Sequence, residues 1–302
     1  MPDDAAIISS YLLARQLVEM KPPFEGTDKI FAAQRLDGST IDRTSYEHCT
    51  FANLSFKEVS LRNGSFLDCV FVGCYFRRVE FVNCRFIGCR FFDCNFAHAA
   101  VMSCDFRYTV FRGCQIAHSE MEHSLPSEPN LRENLARNLA LESSRLGLSQ
   151  ERRSYRMTEI RAHEEYLNAA FQAKSQWYRD HFDGVSRLQA FGGWILSLLN
   201  RWLWGYGERA WVLLRNLLLL AFAVFPCLFY FVRDELIHNS GRPISLWDAL
   251  YFSLENVIPA GIVSEVTATG GLSRFFAGLE SLIGVVAIAL FAAHVFRWSL
   301  HR

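Results

Sequence analysis

FLDCVFVGCYFRRVEFVNCRFIGCRFFDCNF, residues 66–96, repeats itself every five positions. Phenylalanine stands at 66, 71, 76, 81, 86, 91 and 96, and the residue two places before each is usually small. Carried outward, the rule holds from Leu36 to Met121: all eighteen fifth positions are apolar and eleven are Phe. A helix repeats every 3.6 residues and a strand every two, so neither keeps one residue class on one face for so long. A solenoid does, if each five-residue unit is one side of a square coil. The large apolar residue then points to the axis and the small one fills the space beside it. Coils of twenty residues stack with a rise of about 4.8 Å, giving a column roughly 20 Å tall. Each ring of side chains is buried only by its neighbours, so stability is nearly one-dimensional.

This stretch resembles the pentapeptide-repeat family, over about 86 residues. The resemblance implies a right-handed quadrilateral β-helix, placed here at residues 34–124. Some members of that family resemble DNA and bind topoisomerases, which needs an acidic surface. From Ile41 to Glu122 there are nine acidic and nine basic residues, so no such mimicry is expected. The chain as a whole carries no net charge, and no nucleic-acid partner is expected either.

Eight of the nine cysteines occupy the small interior position, and the ninth is Cys227. They are read as small buried hydrophobes in a reducing compartment. Residues 1–33 read as a helix and cap, with Ile7, Leu12, Leu13 and Leu17 on one face. One outward face of the solenoid carries Val70, Val72, Phe92 and Val110, an apolar patch that reads as a partner surface. After Met121 the repeat fails. Pro126 and Pro129 mark a boundary, and residues 125–187 read as a soluble helical hairpin. Its first helix stops at Gly147, Ser149 caps the second, and the second runs to about Phe182.

The composition then changes. Residues 188–207 are apolar and tryptophan-rich but too short to span, and read as a helix lying on the membrane. Two runs of 22 residues, 211–232 and 275–296, are long enough to cross. Arginines flank both runs on one side, which puts both termini in the cytoplasm. The outer loop holds a short apolar helix, 245–254, with Ser245 as its cap and Asp248 three residues on. A Pro/Gly strip, 255–265, follows it. Such a pair reads as a re-entrant pore helix and filter. Irregular backbone at membrane depth needs protein or a water cavity around it, so sibling chains are implied.

The strip and the second run carry a second resemblance. LWDALYFSLENVIPAGIVSE and GGLSRFFAGLESLIGVVAIALFAAHVF look like the pore helix, filter and second span of two-transmembrane potassium-channel-like domains. The GYGER at Gly205–Arg209 resembles the approach to the first span in bacterial proteins that join pentapeptide repeats to this module. The resemblance implies a homotetramer in a lipid bilayer, with residues 208–302 as the channel-like domain. It places Gly284 near a gating hinge and Ile288, Phe291 and Val295 along the central path.

Laid on the family's filter, the chain has Pro259, Ala260, Gly261, Ile262 and Val263. The inner hydroxyl is lost at Pro259, and β-branched Val263 suits positive φ poorly. A potassium-selective filter is therefore not expected. Glu255 and Asn256 precede the strip and Glu265 follows it. In a tetramer each would make a ring of four, and an acidic ring would favour cations. For Glu255 the other reading is a buried partner of a neighbouring loop. His294, near the inner end, is a candidate pH sensor.

The leading expectation is a multidomain membrane protein: a tetrameric pore passing ions, assembled or gated by its cytoplasmic region, with a cytoplasmic protein or signal as a further partner. The other is a non-conducting membrane-anchored scaffold that binds through the solenoid patch. There is no nucleophile–base set, metal-ligand spacing or phosphate loop, so neither an enzyme nor a cofactor is expected.

Overall fold

The computed structural model describes residues 20–22, 24–207, 210–257 and 264–300, without the side chains of 204, 207, 210, 294 and 297–300. The cap helix expected before Met20 lies outside them. Two compact units are present, residues 1–192 and 193–302.

The first unit contains the five-residue column. Thirteen three-residue strands, β1 (Glu25–Thr27) to β13 (Val110–Arg112), form three parallel sheets of four, five and four strands. The fourth wall is a line of single bridges, Arg35 to Ser55 to Tyr75 to Asn95 to Gln115. Every pairing is offset by twenty residues: Phe31 faces Phe51, then Phe71, Phe91 and Phe111. The coil begins at Glu25, earlier than the expected residue 34, because Gly26 and Phe31 continue the five-residue count backward. Corners turn through left-handed residues such as Asn53, Asp68, Asn83 and Asp93. Their short polar side chains tolerate that conformation best after glycine.

Inside, aromatic rings stack coil on coil. Phe51 to Phe71 is 4.7 Å between centroids, Phe71 to Phe91 is 4.6 Å and Phe91 to Phe111 is 5.0 Å. That spacing follows the rise of the coil. The small positions have no room to spare. At Gly64 an added Cβ would stand 2.6 Å from Leu61 Cδ2 and 2.8 Å from Thr44 Oγ1.

All eight interior cysteines are free and buried, as expected from their size. Their thiols donate weakly to carbonyls of the coil below, Cys74 to Phe51 O at 3.3 Å and Cys89 to Phe66 O at 3.3 Å. Burial pushes the Cys94 thiol well above its usual range. All eight are shielded from solvent, so these residues should be inert to reagents in the folded chain. Cys227 is exposed. A membrane-permeant maleimide is expected to label one thiol at most in the native protein and all nine after denaturation, counted by intact mass.

The apolar outer patch is smaller than its sequence implies. Val70 and Phe92 are buried, Val72 is half-buried, and Val110 is open at 41 % exposure. Each outward residue stands in a ladder: Val70 lies between Thr50 and Arg90, and Phe92 pairs with Val72 below and Arg112 above. Long side chains on adjacent rungs cover apolar area, which a reading of one coil at a time does not register.

A helical hairpin closes the column's last coil. It consists of α2 (Pro129–Arg145) and α3 (Ser149–Gln172), preceded by the single turn α1 (His118–Met121). Leu135, Leu139 and Tyr155 join the column's core. Polar residues meet the free backbone of the final coil. Asn138 accepts the Phe111 N–H at 2.8 Å and donates to the Phe111 carbonyl at 3.0 Å. Glu142 accepts the Gly113 N–H at 2.9 Å, and Glu151 accepts the His118 N–H at 2.6 Å. An edge that would otherwise invite another strand is thereby satisfied.

Two sequence expectations are corrected in the hairpin. Ser149 is the first helical residue and makes no cap, since Leu148 holds that position. The second helix ends at Gln172, not near Phe182, because Ala173 turns left-handed at φ 49°. Lys174 N–H then closes on the Ala169 carbonyl, and a short helix, α4 (Gln176–His181), follows.

Candidate functional site

The second unit is built around a twelve-residue helix. A long helix, α5 (Gly184–Trp204), begins four residues before the expected 188, with the Asp183 carboxylate accepting the Ser186 N–H. Then come α6 (Ala210–Leu219), a π-helical segment (Leu220–Val224), α7 (Phe225–Phe231), α8 (Leu246–Val257) and α9 (Gly271–Leu300). Residues 211–231 and 271–293 are long and apolar enough to cross a membrane, each with a mean hydropathy of 2.2. Strands β14 (Leu236–His238) and β15 (Val266–Ala268) pair antiparallel beside α8.

The start of α8 is fixed by a reciprocal cap. Ser245 Oγ accepts the Asp248 N–H at 3.2 Å, and Asp248 Oδ2 accepts the Ser245 N–H at 2.8 Å. This is a capping box with Asp in place of Glu. One face of α8 packs on both long segments through Ala249 and Phe252, with the Phe252 ring edge-on to Phe229 at 4.9 Å. The opposite face is apolar and open: Trp247 is 71 % exposed and Tyr251 55 %.

Ser253, fully buried, joins three elements. In the π-helical segment Phe225 N–H bonds to Leu220 O, one residue beyond the α-helical pairing. The same pairing would give Ala221 O to residue 226, which is proline and has no N–H. Ser253 Oγ lies 2.9 Å from that orphaned carbonyl and 2.5 Å from Glu280 Oε1 on α9. Asn256 donates to Glu280 Oε2 at 3.4 Å. Glu280 is 1 % exposed, so its carboxyl oxygens find their partners inside the protein. Ser253→Ala is expected to cost about 1–3 kcal/mol by removing the hydroxyl that the two oxygens share. Faster hydrogen exchange at 220–226 and 253–257 than in the native chain, with 40–110 unchanged, is the expected readout.

Pro259, Ala260, Gly261, Ile262 and Val263 lie outside the described residues, but both flanks of the strip are inside. Glu255 Oε2 accepts the Ser264 N–H at 2.9 Å and also the Ser264 hydroxyl. One carboxylate therefore clasps the chain as it enters and leaves the strip. Of the two readings of Glu255, the geometry within one chain matches the loop partner. Asn256 is engaged with Glu280, while the Glu265 side chain is 70 % exposed.

Gly284 on α9 is buried against the end of α8. A Cβ there would stand 3.0 Å from the Val257 carbonyl oxygen and 3.2 Å from Val257 Cα. Ile288 and Val295 are exposed and Phe291 is half-buried; the His294 side chain lies outside the described residues. Arg215 and Asn216, near the start of the first apolar run, are both paired. Asn216 donates to the Trp202 and Leu203 carbonyls at the end of α5, and Arg215 Nη2 donates to Asn216 Oδ1 at 3.0 Å.

The pairing of Glu280 with Ser253 and Asn256, and the part played by Ser264, are not legible in the sequence. The signal for Ser253 is indirect: a proline inside the first apolar run, at 226, frees a carbonyl that something must satisfy.

Residues 39–121 match the pentapeptide repeat region model. The column is thus a pentapeptide-repeat solenoid. A solved structure of QnrB1, a plasmid-mediated fluoroquinolone resistance protein, is similar at 17 % sequence identity over 30 % of this chain and 68 % of that one, with a TM-score of 0.13. No curated protein matches the chain.

Proposed function

We propose that the chain is one subunit of a homotetrameric ion-channel-like pore in a bacterial inner membrane. Residues 211–231 and 271–293 are its spans, α8 is the pore helix, and Pro259, Ala260, Gly261, Ile262 and Val263 stand at the filter-like positions after it. The termini and the solenoid lie in the cytoplasm, α5 lies along the membrane surface, and the cytoplasmic region assembles or gates the pore. The path is not potassium-selective, since Pro259 and Val263 replace residues that a potassium filter needs.

One observation carries this reading. The helix α8 is too short to cross a bilayer, yet it is anchored by buried polar bonds to both long apolar segments. Its other face is apolar and unpartnered in the single chain. At membrane depth such a helix and the strip after it need more protein around them. Three further copies about an axis would supply it.

The test is the full chain purified in mild detergent and reconstituted in liposomes. Native mass spectrometry should give four copies, and liposomes should pass monovalent cations with little preference for potassium. A monomer, or liposomes as tight as empty ones across voltage and pH, would count against the pore.

A further inference from the structure

The column's upper coil, the hairpin and α4 line a cleft of about 740 Å³. That is the size of a small-ligand site, for which about 300–1,000 Å³ is usual. Its wall includes Tyr108 at a corner of the column, Asn168 and Gln172 on α3, Lys174 in the turn that follows, and Trp177 and Tyr178 on α4.

The polar groups of this wall are not used up by the protein itself. Tyr178 is 8 % exposed, and its hydroxyl makes no hydrogen bond among the described residues. A buried hydroxyl without a partner costs free energy, and a ligand in the cleft would supply one. Gln172 Nε2 donates to Asn168 Oδ1 at 2.9 Å, and neither side chain bonds to anything else among the described residues. That bond takes a donor from one amide and an acceptor from the other. Whichever way the two amides are turned, an N–H of one and the carbonyl of the other remain side by side. The charges are paired with one exception. Asp105 accepts from Arg107 Nη2 at 2.8 Å, Glu128 stands 3.7 Å from Arg107, and Arg132 holds Glu165. Lys174 is exposed and has no side-chain partner among the described residues.

A ligand that meets all of these groups presents a donor next to an acceptor on one edge and carries negative charge. Nucleobases have such edges, and Asn and Gln are the side chains that pair with that of adenine. The rest of the wall suits a flat ring. Trp177 is 46 % exposed, its indole held by stacking on His181 at 4.5 Å, and Tyr108 is 68 % exposed. Aromatic side chains take any base by its face. We propose that this cleft binds a mononucleotide, with the base on the aromatic wall, its edge on Asn168 and Gln172, and the phosphate toward Lys174. The site lies wholly within the first unit and stands whether or not the second forms a pore.

The experiment is calorimetric titration of the full chain in nanodiscs with adenosine, guanosine, cytidine and uridine monophosphates, the four nucleosides and inorganic phosphate. At least one monophosphate should bind saturably, one per chain, and more tightly than its nucleoside. Tyr108→Ala, at an exposed position, should weaken it about five- to a hundredfold, the worth of one stacked base. Tyr178→Phe keeps the ring and should weaken it about two- to tenfold. The lost hydroxyl has no partner in the protein, so the thermal midpoint of the free chain should stay where it was. Lys174→Gln should weaken the monophosphate by up to about fivefold and leave its nucleoside unchanged. No saturable heat from any of the four monophosphates overturns the proposal. Binding undiminished in both Tyr108→Ala and Tyr178→Phe overturns it by placing the ligand elsewhere. A nucleoside, or inorganic phosphate alone, that binds as tightly as the monophosphate overturns the nucleotide assignment.

Discussion

Phe71→Ala is expected to destabilise the solenoid by about 3–5 kcal/mol, the range for removing a fully buried aromatic side chain. Phe71 is the middle ring of its ladder, 4.7 Å from Phe51 and 4.6 Å from Phe91, with Phe66 and Phe76 edge-on at 5.6 and 5.9 Å. A bundle could close part of the void by sliding a helix. Here the parallel ladders fix the spacing of the coils, so the walls have little freedom to collapse. The loss also has a direction. Each coil is held by its neighbours, so a gap at the centre uncouples the coils on either side. Hydrogen exchange in the full chain should therefore quicken at 50–52, 70–72 and 90–92 before it does in α2 and α3. Val110→Ala, at an exposed position on the same wall, is the control and should change little. Equal protection in Phe71→Ala and the native chain would mean that the aromatic ladder does not hold the column.

The column was legible because its rule is local and repeated. Any five residues between Ile41 and Ile116 show it, and the twenty-residue register follows from four sides. What closes the column was not legible in the same way. Asn138 and Glu142 read as ordinary polar residues on a charged helix; their role appears only when the last coil presents unpaired Phe111 and Gly113 backbone to them. The end of α3 was missed because Ala173 takes the left-handed turn where glycine is the usual signal. In the second unit the short helix and its Ser245–Asp248 cap could be read from the sequence, since capping needs neighbours three residues apart. Contacts across 27 or 32 residues, such as Ser253 with Glu280 and with Ala221, could not. The buried state of Val70 and Phe92 belongs to the same class, for it depends on adjacent rungs rather than on adjacent residues.

Under the proposed pore, Gly284→Val is expected to cut ion flux roughly ten- to a hundredfold while leaving the solenoid intact, and Gly284→Ala to weaken it far less. The two substitutions separate two roles for this glycine. A hinge needs backbone freedom, which alanine already removes, so alanine and valine should then be nearly equivalent. A close approach instead scales with side-chain size. The contacts at Gly284 are backbone atoms of Val257, which cannot rotate away as a side chain could. A Cβ at 3.0 Å from the Val257 oxygen asks α8 and α9 to part by a few tenths of an ångström. The branched carbons of valine ask for more. Overpacking of this kind costs about 1–3 kcal/mol, roughly one to two powers of ten in the population of the native arrangement. Val257 is the last residue of α8 and lies two residues after Glu255, so the displacement passes directly to the Glu255–Ser264 clasp. Exchange at Ser264 should quicken in Gly284→Val in step with the loss of flux. Were alanine as damaging as valine, with Ser264 still protected, the hinge would explain Gly284 and the close approach would be incidental.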